Sequence, residues 1–502
     1  MTSRSWCIHS WTWAFCLNSR IEIIRSSYGR RGTGKTHVLR VLGSRLRETS
    51  GNTVVYIDAR TLGSTTQFSD PSLPLPKRCL ALFRDILAEI HNSLLEHIVD
   101  QPTGRADRAL DCLTSLSGQI AEGNTIVIPQ TVTKSKEATS TKSESAGASL
   151  GSAGISAEAK AESGTHSKAA TVSEFSLERS DRILFPDLHA LLLEILDLAE
   201  TDLYVLFDEW SSLPDDVQPY LAEFLKRGVL PVSRAVLKIT SLEYCSRFSV
   251  REGDRLVGFE LGADIATAAD LDDYYVFDRN PDTITNAFAD MLFRHLYSEL
   301  PASYLEKQYR VRDGNDLASR LFTERETFKE LARASEGVVR DLINIFTKAF
   351  FDAHRRGRDS VDRRAIIEAA RQWFEQDKSQ HLDEQLQAVL QRIVDEVIGK
   401  RRARSFLLPR QLERHPVVQR LFDARVLHHM QRGYADKDNP GIRYNIYTLD
   451  YGTYVDLLNT SKQPVLDLVG EDTEGDTEPD LIVPFDDRRS IRRIILTEDV
   501  LQ

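Results

Sequence analysis

Gly29-Arg30-Arg31-Gly32-Thr33-Gly34-Lys35-Thr36 meets every fixed position of the pattern G-x-x-x-x-G-K-[ST]. The chemistry of polyphosphate binding requires these residue types at this spacing. Glycines let the backbone wrap closely around an anion, so that successive N–H groups point at its oxygens. Lys35 would reach the β- and γ-phosphates, and the Thr36 hydroxyl would hold Mg²⁺. A helix beginning here would present its positive dipole end to the same anion. The loop from Gly29 to Thr36, with His37 next to it, is therefore the candidate cofactor-binding segment.

The flanks fit a strand-to-helix turn. Ile21, Ile23 and Ile24 form a short β-like run, and Val38, Leu39, Leu42 and Leu46 follow at helical spacing. An ordinary glycine-rich turn is the competing reading. The second half of such a site should be a buried strand ending in acids. Leu203-Tyr204-Val205-Leu206-Phe207-Asp208-Glu209 has that form, with five apolar residues and then two carboxylates. Ligands of open α/β sheets sit at the carboxyl ends of the strands. Asp208 is expected to hold Mg²⁺ through its water shell, and Glu209 to polarise the water attacking the γ-phosphate. A further strand, Ala235-Val236-Leu237-Lys238-Ile239-Thr240-Ser241, ends in hydroxyls that could meet that water or phosphate, or simply cap the strand. Arg247, Arg251 and Arg255 follow. One of them could serve a neighbouring subunit's nucleotide, although solvated surface arginines are the plainer reading of each.

At 502 residues the chain should hold two or three domains. Its net charge of −11 excludes a surface coated for nucleic acid, so any DNA contact must come from a local patch. Five scattered cysteines fit a reducing, cytoplasmic compartment without a disulfide framework, and no apolar run approaches a membrane span. Residues 1–20 read as an atypical tail. Residues 21–280 read as the nucleotide-binding core, interrupted at about 130–172 by a Ser-, Ala- and Thr-rich insertion too poor in large apolar side chains to order itself. Residues 271–278 (LDDYYVFD) read as a last strand or sheet-edge segment.

From about 281 to 380 the pattern is helical, as expected of a lid over a nucleotide. From 381 to 465 helices give way to a hairpin, with Val426–Met430 facing Arg443–Tyr447 across a turn containing Asn439-Pro440-Gly441. Lys400, Arg401, Arg402 and Arg404 supply positive charge nearby, and Arg432, Lys437 and Arg443 would line a wing. His428 and His429 are adjacent, so they cannot both face one ligand from a strand and read as packing or surface residues, not metal ligands. An acidic tail with a short strand-like piece occupies 466–502.

Taken together, Gly29–Thr36 (GRRGTGKT), FDEW at 207–210 and GVVRD at 337–341 resemble the AAA+ ATPases, and within them the origin-recognition-complex-like group, especially its bacterial members. The resemblance covers about residues 21–460. It implies an α/β P-loop core with a parallel sheet and flanking helices, a helical lid and a C-terminal winged-helix-like domain. It implies ATP and Mg²⁺ as cofactors, Thr240 or Ser241 as a first sensor, and Arg340 as a second sensor reaching from the lid. A surface salt bridge is the bland alternative for Arg340. The chain departs from the group in the few residues before the phosphate loop and in the insertion. Three activities follow: an ATP-hydrolysing switch acting on DNA or a protein effector, with an ATP-dependent homo-oligomer; a DNA-binding regulator with structural nucleotide; or a scaffold ATPase of a mobile-element or phage-defence system.

Overall fold

The computed structural model describes residues 25–49, 51–63, 66–122, 126–132, 174–180, 183–260, 262–401, 403–435, 441–459 and 494–502. The expectations for residues 1–20, for Ile21, Ile23 and Ile24, for most of the insertion, for Arg402 and Lys437, and for the acidic tail up to residue 493 lie outside them.

Strand β1 (Arg25–Tyr28) leads through the phosphate loop into helix α1 (Lys35–Glu48), and β2 (Asn52–Asp58) follows. A helical pair, α2 (Leu75–Asp100) and α3 (Ala106–Glu122), precedes the antiparallel hairpin β3 (Ile126–Val132) and β4 (Glu174–Ser180). Then come α4 (Phe185–Ala199), β5 (Asp202–Asp208), α5 (Gln218–Gly228), β6 (Ala235–Thr240), the hairpin β7 (Ser249–Glu252) and β8 (Arg255–Gly258), and β9 (Ala266–Asp270). Five of these strands pair in parallel in the order β2-β5-β6-β1-β9.

Burial on both faces explains the continuous apolar strands. On one face Leu39, Leu42 and Leu46 of α1 pack with Val54 and Leu206. On the other, Phe83, Ile86, Ile90 and Leu94 of α2 pack with Val55, Val205 and Leu237. Each of these α2 side chains is fully buried, worth about 1.5–3 kcal/mol apiece in apolar surface removed from water.

The helical region comprises α6 (Pro281–Glu299), α7 (Gly314–Leu321), α8 (Arg325–Ala334), α9 (Val339–Arg355) and α10 (Arg363–Trp373). After it come α11 (Glu384–Val394), β10 (Ser405–Pro409), α12 (Pro416–Asp423), β11 (Leu427–Ala435), β12 (Arg443–Leu449) and α13 (Tyr451–Asn459). Strands β10-β12-β11 form an antiparallel sheet, which the chain near Ile495 joins beside Leu407. Asp313, Asp362 and Asp383 cap α7, α10 and α11 through backbone N–H groups of the first turn. One hydrophobic core runs through this whole region, from Phe277 to Leu501.

Three expectations need correction. Residues 271–278 are not a strand: Leu271–Tyr274 is one helical turn, and the sheet edge is β9, just before it. The turn is needed because Asp272 must bend back to accept from the phosphate loop at Arg30. The insertion cannot begin at 130, because β3 continues through Val132 in register with Glu174. Arg404 and Arg432 do not supply free surface charge. Arg404 is buried against Glu336, and Arg432 is engaged by Glu243 through two 2.5 Å bonds.

Candidate functional site

The phosphate loop is held by its own geometry. Gly34 caps α1 at φ 98°, in the left-handed region that glycine tolerates best. Gly32, at φ 89°, has a second constraint, since a Cβ there would lie 2.7 Å from Cβ of Arg340. The helical region therefore touches the loop directly: the Arg340 N–H donates to the Gly32 carbonyl at 3.1 Å. The Lys35 ammonium donates to the carbonyls of Gly29 at 2.7 Å and Arg30 at 2.9 Å. Burial pulls the Lys35 pKa below the ordinary lysine value, with Arg340 acting in the same sense. The carboxylates of Asp272, Glu209 and Asp208 counter it. The amine and both acids thus share one electrostatic environment, although some 170 residues separate them in sequence.

The acids are positioned by strand order. Because β6 lies between β5 and β1, its end sits between Asp208 and the loop. Asp208 is fully buried. Its Oδ1 accepts from the Thr240 hydroxyl and, at 3.0 Å, from the Glu209 N–H, and its Oδ2 accepts from the Tyr56 hydroxyl at 2.6 Å. Glu209 adopts the left-handed conformation at φ 56°, which costs a non-glycine residue about 1–3 kcal/mol. The buried Trp210 that follows, packed against Phe207 and Phe248, over-determines that bend. Ser241 Oγ is buried with no hydrogen-bond partner among the described residues.

A cavity of about 840 Å³ opens between the loop, Glu209 and α9. Arg31, Gly32, Gly34, Lys35, Thr36, His37, Glu209 and Arg340 all line it. Burial, with His295 nearby, lowers the His37 pKa. Asp208, Thr240 and Ser241 are buried and do not line the cavity; Asp208 is tied to the Glu209 N–H and to the Thr240 hydroxyl. Arg30 is not a lining residue: its guanidinium binds Asp272 at 3.1 Å and the Glu336 carbonyl at 3.0 Å. Gly29 and Thr33 are likewise structural parts of the loop, Thr33 donating to the Arg30 carbonyl. Arg247, Arg251 and Arg255 lie away from the cavity and exposed, the last two on the β7–β8 hairpin.

Sequence reasoning missed several lining residues. Arg40 projects from α1 two turns into the helix, and Arg60 from just beyond β2, where it chelates Asp58 with bonds of 2.9 and 2.6 Å. Cys245 also lines the cavity and donates to Asp423 of α12 at 3.2 Å. The only sequence signal for Arg40 and Arg60 was their proximity to motif strands.

Hard oxygen donors at Thr36, Asp208 and Glu209 suit Mg²⁺. Among the described residues there is no cluster of three or more His, Cys, Asp or Glu that could hold a metal by itself. Among the same residues no helix is long and apolar enough to cross a membrane.

The fold and loop define an α/β phosphate-loop protein with a helical region closing over the loop, the architecture that the resemblance implies. No family model matches the chain, and no curated protein matches it. Among solved structures, it is similar to CDC6P from Pyrobaculum aerophilum at 13% identity, over 89% of this chain and 90% of that one, with a TM-score of 0.31. The Aeropyrum pernix ORC2 protein in ADPNP-ADP complexes gives 10%, 89%, 91% and 0.34 for the same quantities. A Drosophila ORC structure bound to DNA gives 10%, 89%, 86% and 0.32. At these TM-scores the likenesses carry no weight, and the fold rests on strand order and loop geometry.

Proposed function

We propose that this chain is an ATP-binding and ATP-hydrolysing switch of the AAA+ type. The observation that carries the reading is one cavity lined by the phosphate loop, Glu209 and Arg340, with Asp208 buried next to Glu209 and close enough to act on Lys35. Lys35 and the loop amides would bind the β- and γ-phosphates, with Arg31 and His37 at the rim. Thr36 and Asp208 would hold Mg²⁺, which supplies charge neutralisation between the phosphates. Glu209 would orient the attacking water, and Thr240 would couple that position to Asp208. Arg340 would sense the γ-phosphate from α9 and move the helical region. Catalysis is then positioning plus preorganised charge.

The C-terminal strands and α12 form a winged-helix-like unit that would pass this motion to DNA or a protein effector. With Arg404 and Arg432 drawn inward, a nucleic-acid contact would fall to exposed groups such as Arg443. An ordinary DNA-binding regulator would retain a salt-sensitive gel shift after Lys35→Ala, whereas the switch loses nucleotide control of it.

The test is a filter-binding and phosphate-release assay. Lys35→Ala should abolish ATP binding, and unchanged affinity rejects the site. Glu209→Gln should keep ATP while turnover falls by about 10²-fold or more. Sustained phosphate release removes Glu209 from its role.

A further inference from the structure

We propose that Tyr56, on the neighbouring strand β2, is a positioning residue for Asp208 and so for the divalent cation; the inference rests on the phosphate-loop reading above. In-register pairing of β2 with β5 sets Tyr56 opposite Leu206, two residues before the acid. From there its hydroxyl donates to Asp208 Oδ2 at 2.6 Å. Thr240 holds the other oxygen, so the carboxylate is clamped from both flanking strands. A carboxylate held this way is restrained from rotating: Oδ1 is taken up by Thr240 and the Glu209 N–H, and Oδ2, which accepts from Tyr56 alone, keeps one lone pair for a hydrated cation. The Arg40 guanidinium lies 5.4 Å from the Tyr56 ring centre. Arg40 belongs to α1, the helix that carries Lys35 and Thr36 at its first turn. Tyr56 therefore ties the acid's orientation to the helix that would hold the rest of the metal and phosphate site.

Groups that orient a metal-binding carboxylate cost about 10–100-fold in metal affinity when removed. The experiment titrates a fluorescent ATP analogue in EDTA and then over a Mg²⁺ series, with thermal unfolding measured in the same buffers. Tyr56→Phe should leave the metal-free nucleotide affinity unchanged, with a lowered metal-free melting temperature because buried Asp208 loses one donor. The Mg²⁺ concentration at half-effect should rise by about tenfold or more. Arg40→Ala should move the same midpoint in the same direction by a smaller factor. An unchanged Mg²⁺ midpoint in Tyr56→Phe overturns the proposal, as does an equal loss of metal-free nucleotide binding, which would mark Tyr56 as a packing residue. If the wild-type chain binds the analogue with no Mg²⁺ dependence, the phosphate-loop reading itself fails, a result distinguishable from the other two.

Discussion

Gly32 carries a second constraint that Gly34 does not share, and the pair separates backbone strain from lid contact. Both residues have positive φ, so alanine at either position costs about 1–3 kcal/mol. At Gly34 a Cβ would meet nothing within 4 Å, whereas at Gly32 it would strike Cβ of Arg340 at 2.7 Å and Val338 at 3.2 Å. Overpacking adds about 1–3 kcal/mol. In nucleotide-free thermal melts Gly32→Ala should therefore be the more destabilised of the two, and its Arg340 contact should be lost. Equal melting temperatures would mean that α9 does not rest on the loop. At this scale the sequence is uneven as a guide. Lys35, Thr36, Asp208 and Glu209 were legible because each has a fixed neighbour in the chain. Tyr56 and Arg40 were not, because their roles arise from strand register and helix placement, which no local pattern encodes.

The elements near the cavity are joined to the C-terminal ribbon by a short buried contact. Tyr244, just past β6, has its hydroxyl 2.9 Å from His429 Nε2 of β11, within hydrogen-bond distance, and its ring meets Phe422 of α12. His429 is buried, and its pKa is held well below the ordinary histidine value by that burial and then by the nearby Arg432, Arg30 and Arg279. Folding thus requires the neutral ring. A lowered folded-state pKa means that the unfolded chain binds more protons once the pH drops below about 6.5. Stability is complete above that value and declines as the pH falls, by up to about 1.4 kcal/mol per unit from this one group. His37, also lowered by burial, acts in the same sense. Urea unfolding at pH 7.5 and 5.5 should show the loss, and His429→Gln should flatten the slope. A slope unchanged by the substitution would place the acid sensitivity elsewhere. The ribbon itself was readable from alternation around a turn. The β7–β8 hairpin was overlooked despite its Gly253-Asp254 turn, because the arginines around it invited a charge reading first.

Across the molecule, the phosphate loop is connected to the C-terminal unit by buried ion pairs. Arg30 reaches Asp272 and the Glu336 carbonyl, and the Glu336 carboxylate pairs with Arg404 beside β10. The loop, the segment before α9 and the start of β10 are therefore joined by direct polar contacts, which under the proposed switch would carry a displacement of α9 to the ribbon. Arg247, Arg251 and Arg255 are exposed and do not line the cavity. If such an arginine is supplied by a neighbour, assembly and turnover must rise together. The proposal makes a joint forecast for Arg251, exposed on β7. Adding ATP should raise the mass in solution, and Arg251→Ala should keep nucleotide affinity yet lose about 10³-fold in turnover. Mixing this variant with Lys35→Ala should restore hydrolysis, since the first binds ATP and the second still offers its arginine. Specific activity should also climb with protein concentration. A turnover independent of concentration, with no gain on mixing, would make the chain a self-sufficient ATPase whose charges all come from Lys35, Arg340 and the other cations already in its own cavity.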